Sequence, residues 1–280
     1  MSTTVRATGD PVEFKAAAFP LLQGDPVLNS VLLTNTEDRI RGILHDPAPP
    51  VFLTIHDKTD EVVGAVICTA LRGIMLGALP DALVPPIVDA CADLAPDPNA
   101  VEGTASAALL LAEFLAARNG KTVRHKRGTR LHRLEEFVEQ KAAGAPRLAV
   151  EVDAEALIPQ FSAYGQELGH VLDHEQEEKW VRVRIALDRI WVWEDDGRIV
   201  SLVGHQNAVF GATRVGPVYT PPADRGHGYA SALTAHVTQQ ILASGSEACL
   251  YTDLANPTSN KIYAAIGYRP LADFIGYELS

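Results

Sequence analysis

The chain has 280 residues, 47% apolar and 21% charged, with a formal charge of −11, so it is long enough for two ordinary domains with a core in each. The acid excess disfavours general binding to nucleic acid or to anionic membranes, which calls for a basic surface that neutralises phosphates. Cys68, Cys91 and Cys249 are odd in number, widely spaced and without a C-x-x-C pair, which argues for buried reduced thiols rather than disulfides or a thiolate metal site.

In chain order, the start, Met1-Ser-Thr-Thr-Val-Arg-Ala-Thr-Gly-Asp10, has no apolar core behind its charge, so a cytoplasmic location is expected rather than secretion. The apolar runs Val51 to Ile55 and Val62 to Ala70, bounded by Pro49-Pro50 and Asp57-Lys-Thr-Asp60, predict a β-hairpin. A third strand is expected over Ile74 to Leu79, helices over Leu83 to Leu94 and Ala105 to Ala117, and a strand within Thr122 to Leu134, giving the order βββαβαβ. Arg118, Lys121, Arg124, Lys126, Arg127, Arg130 and Arg133 come without an intervening acid, so this stretch is the one local exception to the acidic balance. The polar, alanine-rich connection from Glu135 to Pro146 has little to bury and marks the boundary between domains at 1–140 and 147–280.

The second half repeats the scheme. A helix is expected over Ala154 to Leu168, and strands over Arg189 to Glu194 and Arg198 to His205, joined by the turn Asp195-Asp-Gly197. A further strand over Val209 to Thr220, a helix over Gly226 to Ala243, a buried strand over Ala248 to Leu254, a short helix at 257–266 and a last strand from Phe274 to Leu279 complete it. The fold class is α/β (α+β): two tandem units, each a mixed, mostly antiparallel sheet flanked by helices. No apolar stretch approaches the ~20 residues of a membrane span.

Chemistry concentrates in Val218-Tyr-Thr-Pro-Pro-Ala-Asp-Arg-Gly-His-Gly-Tyr-Ala230, which passes from strand through a tight turn into a helix. Gly226 and Gly228 let the backbone approach a ligand closely, and the free amides of a helix start suit a diphosphate. Arg225 adds a charge there, in a half (147–280) with ten Lys and Arg against seventeen Asp and Glu. Arg225-Gly-His-Gly-Tyr-Ala230 resembles the pyrophosphate loop Q/R-x-x-G-x-G/A of the GNAT superfamily. Some 25 residues on, Leu250-Tyr-Thr-Asp-Leu-Ala-Asn-Pro-Thr-Ser-Asn-Lys-Ile-Tyr-Ala-Ala-Ile-Gly-Tyr268 is similar to that family's strand and following helix, with Asn256, Asn260, Tyr263 and Gly267-Tyr268 in matching places.

The resemblance implies an acetyl-CoA-dependent N-acetyltransferase acting on a small amine or peptide. Its pantetheine arm would pair with Val218, Tyr219 and Thr220, its diphosphate would sit on Arg225, Gly226, His227, Gly228, Tyr229 and Ala230, and Asn256 and Asn260 would complete the cofactor site. The amine attacks the thioester directly, an amide near Val218 steadies the oxyanion, and Tyr263 returns a proton to the leaving thiolate. His205 is the first choice for the base, with Glu167 and Glu175 behind it. His170 and His174 have zinc-like i, i+4 spacing but no third ligand motif, so no metal is expected. Trp180, Trp191 and Trp193 are read as core or as walls of an acceptor pocket. Gly226-x-Gly228-x-x-Ser231 with Glu247 also resembles a dinucleotide-binding turn, yet too few residues follow it for a doubly wound sheet. A non-catalytic acyl-CoA sensor or scaffold is the alternative from another class. The first half offers Pro80-Asp-Ala-Leu-Val-Pro-Pro86 where such a loop belongs, so it is expected to be a degenerate copy without cofactor.

Overall fold

The computed structural model describes residues 3–70, 72–94, 98–168 and 173–280. The chain divides into two compact units, one of Met1–Leu131 with Thr252–Asn256 and Pro270–Ser280, the other of His132–Tyr251 with Pro257–Arg269.

In the first unit come β1 (Thr4–Thr8), α1 (Pro11–Leu22), α2 (Ser30–Ile40), β2 (Val51–His56), β3 (Val62–Thr69), β4 (Gly73–Gly77), α3 (Val84–Leu94), β5 (Ala100–Thr104), α4 (Ala105–Asn119) and most of β6 (Val123–Leu134). β2 and β3 form the expected hairpin, from Val51 opposite Cys68 to Ile55 opposite Gly64. β4 and β5 are parallel around α3. β1, α1 and α2 are not expected from periodicity. α2 hides because it buries polar residues: Thr34, Asn35 and Thr36 are buried with their side chains donating to the carbonyls of Ser30, Val31 and Leu32 at 2.7, 2.8 and 2.9 Å. The core beneath the sheet joins Leu53, Val66, Ile74 and Val101 to Ile87 of α3 and Leu111 of α4. Cys68 and Cys91 lie in that core, all three cysteines are buried and outside any disulfide, and the neighbouring Cys68 thiol together with burial pushes the Cys91 thiol up.

The rest of the chain supplies β7 (Ala145–Leu148), α5 (Ala154–Glu167), α6 (His174–Ala186), β8 (Ile190–Asp195), β9 (Arg198–His205), β10 (Ala212–Tyr219), α7 (Tyr229–Ala243), β11 (Glu247–Asp253), α8 (Pro257–Ile266) and β12 (Tyr268–Leu279). In the second unit the strands run β11-β10-β9-β8-β7, all antiparallel except β10 with β11. An antiparallel β9–β10 pair is incompatible with a doubly wound dinucleotide fold. Adjacent Leu202 and Val203 on β9 face opposite sides, Leu202 into a cluster with Leu157 and Phe161 of α5 and Val181 of α6, Val203 into one with Leu233 and Val237 of α7. β10 starts later than expected because Phe210 and Gly211, both at positive φ, make a tight turn closed by a Val209–Ala212 bridge.

β12 starts at Tyr268, earlier than periodicity indicates, and its far end completes the first unit's sheet. Phe274 pairs with Thr104 and Glu278 with Ala100 of β5. The basic run on β6 is neutralised: Arg124 and Lys126 meet Glu278, Arg127 meets Asp253, Arg130 meets Asp273 and Arg133 meets Glu247. No free basic face results from these five cations.

Arg147 on β7 grips buried Asp153 with two bonds, 2.7 and 3.0 Å, and Asp153 also accepts the Val150 N–H at 2.8 Å. The guanidinium beside it holds the Asp153 carboxyl below the usual carboxylate range. Asp153→Asn should therefore destabilise the fold at neutral pH by about 1–3 kcal/mol. A carboxyl lowered in the folded state stabilises fully above its ordinary pKa of about 4 and loses that contribution as pH falls through the lower folded value. Thermal melts at pH 7 and pH 3 should show a wild-type advantage at the first that narrows at the second; an equal gap at both would refute the assignment.

Candidate active site

The pairing of β10 with β11 runs from Ala212 opposite Glu247 to Val215 opposite Leu250 and, among the described residues, ends there, although β10 continues to Tyr219. On its other edge β10 pairs with β9 at Val215–His205 and Val218–Val203, so three steps on β10 span two on β9 and a bulge falls at Gly216-Pro217. Backbone groups of 216–219 on the β11 side thus face a gap within the sheet. An extended ligand can pair there as a strand would.

Beyond β10 the chain turns through Pro222–Asp224 and reaches Gly226 and Gly228 at φ +86 and +84, left-handed conformations in which a side chain is strained. That geometry delays α7 to Tyr229. Gly228 caps the helix without a side-chain bond, and the first intrahelical bond runs from Ala232 N–H to Gly228 O at 2.9 Å. The N–H groups of Tyr229, Ala230 and Ser231 therefore point out of the helix end, where the dipole favours an anion. His227 stacks on Tyr229, whose hydroxyl donates to Asp195, and Arg198 meets Asp224 at 3.0 Å.

Arg225 is not free over the helix start. Its Nε donates to Thr220 O at 2.9 Å, its Nη2 to Glu167 of α5 at 2.6 Å, and its guanidinium lies 5.7 Å from the centre of the Tyr219 ring. Ser201 fixes the same corner by donating to Tyr219 O at 3.0 Å and by contacting the Thr220 hydroxyl at 2.9 Å. Tyr219 also meets the edge of Tyr164, on α5, at 6.4 Å. Neither Tyr164 nor Asp195 is singled out by the sequence, since each sits in an unremarkable helix or turn pattern.

Tyr263 lies buried on α8 with its ring edge-on to Tyr268 at 6.3 Å. Burial first, then the nearby Tyr164, push its hydroxyl well above the ordinary tyrosine range, so it stays protonated at neutral pH. Asn260 is on the same helix, one turn earlier. Asn256 closes the stretch Thr252–Asn256 that groups with the first unit, its N–H bonded to Asp253 O at 3.1 Å. His205 stands opposite Val215, beside the bulge. Its Nδ1 is 3.0 Å from Gln206 O, and the Asp188 backbone also bonds the ring. Burial lowers its pKa, so the ring is neutral at pH 7. Among the described residues no hydrogen bond joins it to Tyr263 or to the 225–230 loop.

Glu175 is exposed in the first turn of α6, next to His174, while His170 lies outside the described residues. Among the described residues no group of three His, Cys, Asp or Glu is arranged to hold a metal ion. Trp180 is sandwiched between Phe161, 3.9 Å away, and the Arg184 guanidinium at 3.8 Å; Trp191 meets His236, and buried Trp193 donates to Ala143 O at 2.6 Å.

The connection from Glu135 to Gly144 is more than a spacer. Glu135 N–H bonds Gly267 O at 3.1 Å, Val138 N–H bonds Ile266 O at 2.8 Å, and Phe137 and Ala142 pack against the α7 core cluster. A Cβ on Gly267, at φ +110, would stand 1.7 Å from Glu136 O, so glycine is required by this crossing. No described helix is long and apolar enough to cross a membrane.

Residues 198–274 match the family model described as FR47-like protein. No curated protein matches the chain significantly in sequence. Among solved structures, an acetyltransferase of the GNAT family from Colwellia psychrerythraea is 9% identical, with all of both chains covered and a TM-score of 0.64. A GCN5-related N-acetyltransferase from Sphaerobacter thermophilus is 17% identical over 98% of this chain and 94% of that one, with a TM-score of 0.61. A tandem GNAT protein from the clavulanic acid biosynthesis pathway is 12% identical over 100% and 98%, with a TM-score of 0.59. The FR47-like segment thus runs from β9 into β12, and the fold over the whole length is similar to those of GNAT acetyltransferases, a tandem GNAT protein among them.

Proposed function

We propose that the second unit is an acetyl-CoA-dependent N-acetyltransferase that passes an acetyl group directly to a primary amine of a small molecule or peptide. The observation that carries this reading is the gap between β10 and β11 opening beside a glycine loop and an unbonded helix start. An extended pantetheine arm and a diphosphate need those two features side by side. In this scheme the backbone near Val218 receives the developing oxyanion, His205 or water takes the amine proton, and Tyr263 supplies the thiolate's proton. Asn256, Asn260 and Thr220 support the cofactor.

The first unit is proposed to be a degenerate copy. After β4 its chain enters a 3-10 turn at Asp81–Leu83, with Leu79 and Val84 buried where a diphosphate loop would need an open backbone.

Thiol release from acetyl-CoA with a panel of amines, amino acids and aminoglycosides tests the activity. Arg225→Glu should weaken acetyl-CoA binding at least about tenfold in titration calorimetry, because it sets a carboxylate beside Glu167 and the diphosphate. Unchanged affinity in the folded variant would take the loop out of the cofactor site.

A further inference from the structure

We propose that Arg214 on β10 receives a carboxylate of the acceptor, so that the acceptor is an amino acid or another small amine bearing a carboxylate; this rests on the acyl-transfer reading above. Arg214 stands at the closed end of the gap, where it pairs with Cys249 of β11 one residue before the ladder stops at Val215. An extended arm that leaves the glycine loop and pairs with 219 back to 216 ends against Val215, so its acyl end falls beside Arg214. Val215 clusters with Leu233 and Val237 of α7, and side chains alternate along a strand. Arg214 therefore projects to the other face, the one on which Leu202 and Tyr219 meet α5 and α6. Gln206 shares that face: it follows Leu202 at even spacing, and its N–H donates to Arg214 O at 2.9 Å, continuing the β9–β10 ladder.

Arg214 Nη1 and Gln206 Oε1 are both buried, and neither has a hydrogen-bond partner among the described residues. No acid among them pairs with this guanidinium, whereas Arg147, Arg182, Arg198 and Arg225 of the same unit each meet a carboxylate. A buried donor without an acceptor is costly to keep, and one that belongs to a cation without an anion costs more, so the fold itself gives no account of Arg214. Both residues stay partly exposed, which leaves them within reach of a small molecule. The molecule that completes them carries an acceptor for the guanidinium and a donor for the amide oxygen. A carboxylate and an amine N–H on one acceptor meet both demands, and the planar fork of an arginine matches a carboxylate in shape as well as charge.

Thiol release from acetyl-CoA by the full chain, measured with neutral amino acids, their α-amides and the corresponding decarboxylated amines, tests this. The free acids should exceed both analogues by at least about tenfold in kcat/KM. Arg214→Met should bring that ratio close to one through a raised KM for the acids, with acetyl-CoA affinity by calorimetry unchanged, and Arg214→Lys should keep part of the preference. Because Nη1 has no acceptor in the free protein, Arg214→Met should also keep or raise the midpoint of urea unfolding. Analogues accepted as well as the acids, a preference that survives Arg214→Met, or a lowered midpoint would each overturn the assignment and leave the acyl-transfer reading standing. Acetyl-CoA bound without acetylation of any amine would remove that reading, and this one with it.

Discussion

Tyr263→Phe should lower kcat by about 10²–10⁴ while leaving acetyl-CoA affinity nearly intact, the signature of losing a general acid rather than a binding contact. The side chain is buried, and its hydroxyl is held well above the ordinary tyrosine range by that burial. The hydroxyl is protonated at working pH and so is available as a donor, although burial leaves it a weaker acid than the thiol it would form, whose pKa is near 8.5. Removing one oxygen from an otherwise retained ring keeps the edge contact with Tyr268, so the fold should survive. Steady-state rates with an acceptor found by screening, together with calorimetric affinity for acetyl-CoA, separate the outcomes. Full activity would dismiss Tyr263 as the donor, and an equal loss of affinity would make it a packing residue.

Gly267→Ala should be the most destabilising single change described here. The added methyl would meet Glu136 O at 1.7 Å and its carbonyl carbon at 2.7 Å, and these are backbone atoms that no rotamer change can move. The φ of +110 adds strain of its own. To relieve both, the strap has to lift, which breaks the Glu135 and Val138 bonds to Gly267 O and Ile266 O and pulls Phe137 from the core. A loss of about 3 kcal/mol or more is expected, read as a lower midpoint in urea unfolding. A wild-type midpoint would mean that the strap does not cross at this residue.

Local chemistry carried much of the fold into the sequence. Asp195-Asp-Gly197 marks the β8–β9 hairpin because Asp196 and Gly197 sit at φ +48 and +71, which few other residues tolerate. The Arg225–Ala230 loop was legible for the same reason, as its two glycines need left-handed backbone. What escaped is set by partners distant along the chain. The basic run on β6 reads as a solvated strand and helix end, or as a small cationic face, and neither shows its partner Glu278, 154 residues from Arg124. The strap reads as inert because backbone bonds, not apolar side chains, hold most of it, and such bonds leave no mark in residue identity. Arg225 was legible as a cation at the loop but not as the partner of Glu167, since helix α5 and the loop meet only in the folded unit. Tyr164 was missed for a related reason: on its own helix it is one aromatic residue among several.

The placement of β12 also dictates an order of events during synthesis. β5 accepts Phe274 to Glu278 along one edge, so the first unit's sheet stays open until that segment has been synthesised. N-terminal domains ordinarily fold first. Here β7 to β10 and α5 to α7 of the second unit are all available before the first unit can close. In the interval β5 presents an unsatisfied strand edge, the kind of surface that recruits chaperones or other nascent chains. A lesion in Phe274–Glu278 thus becomes a folding defect of the first unit, and residues 1–131 expressed by themselves would carry that open edge permanently.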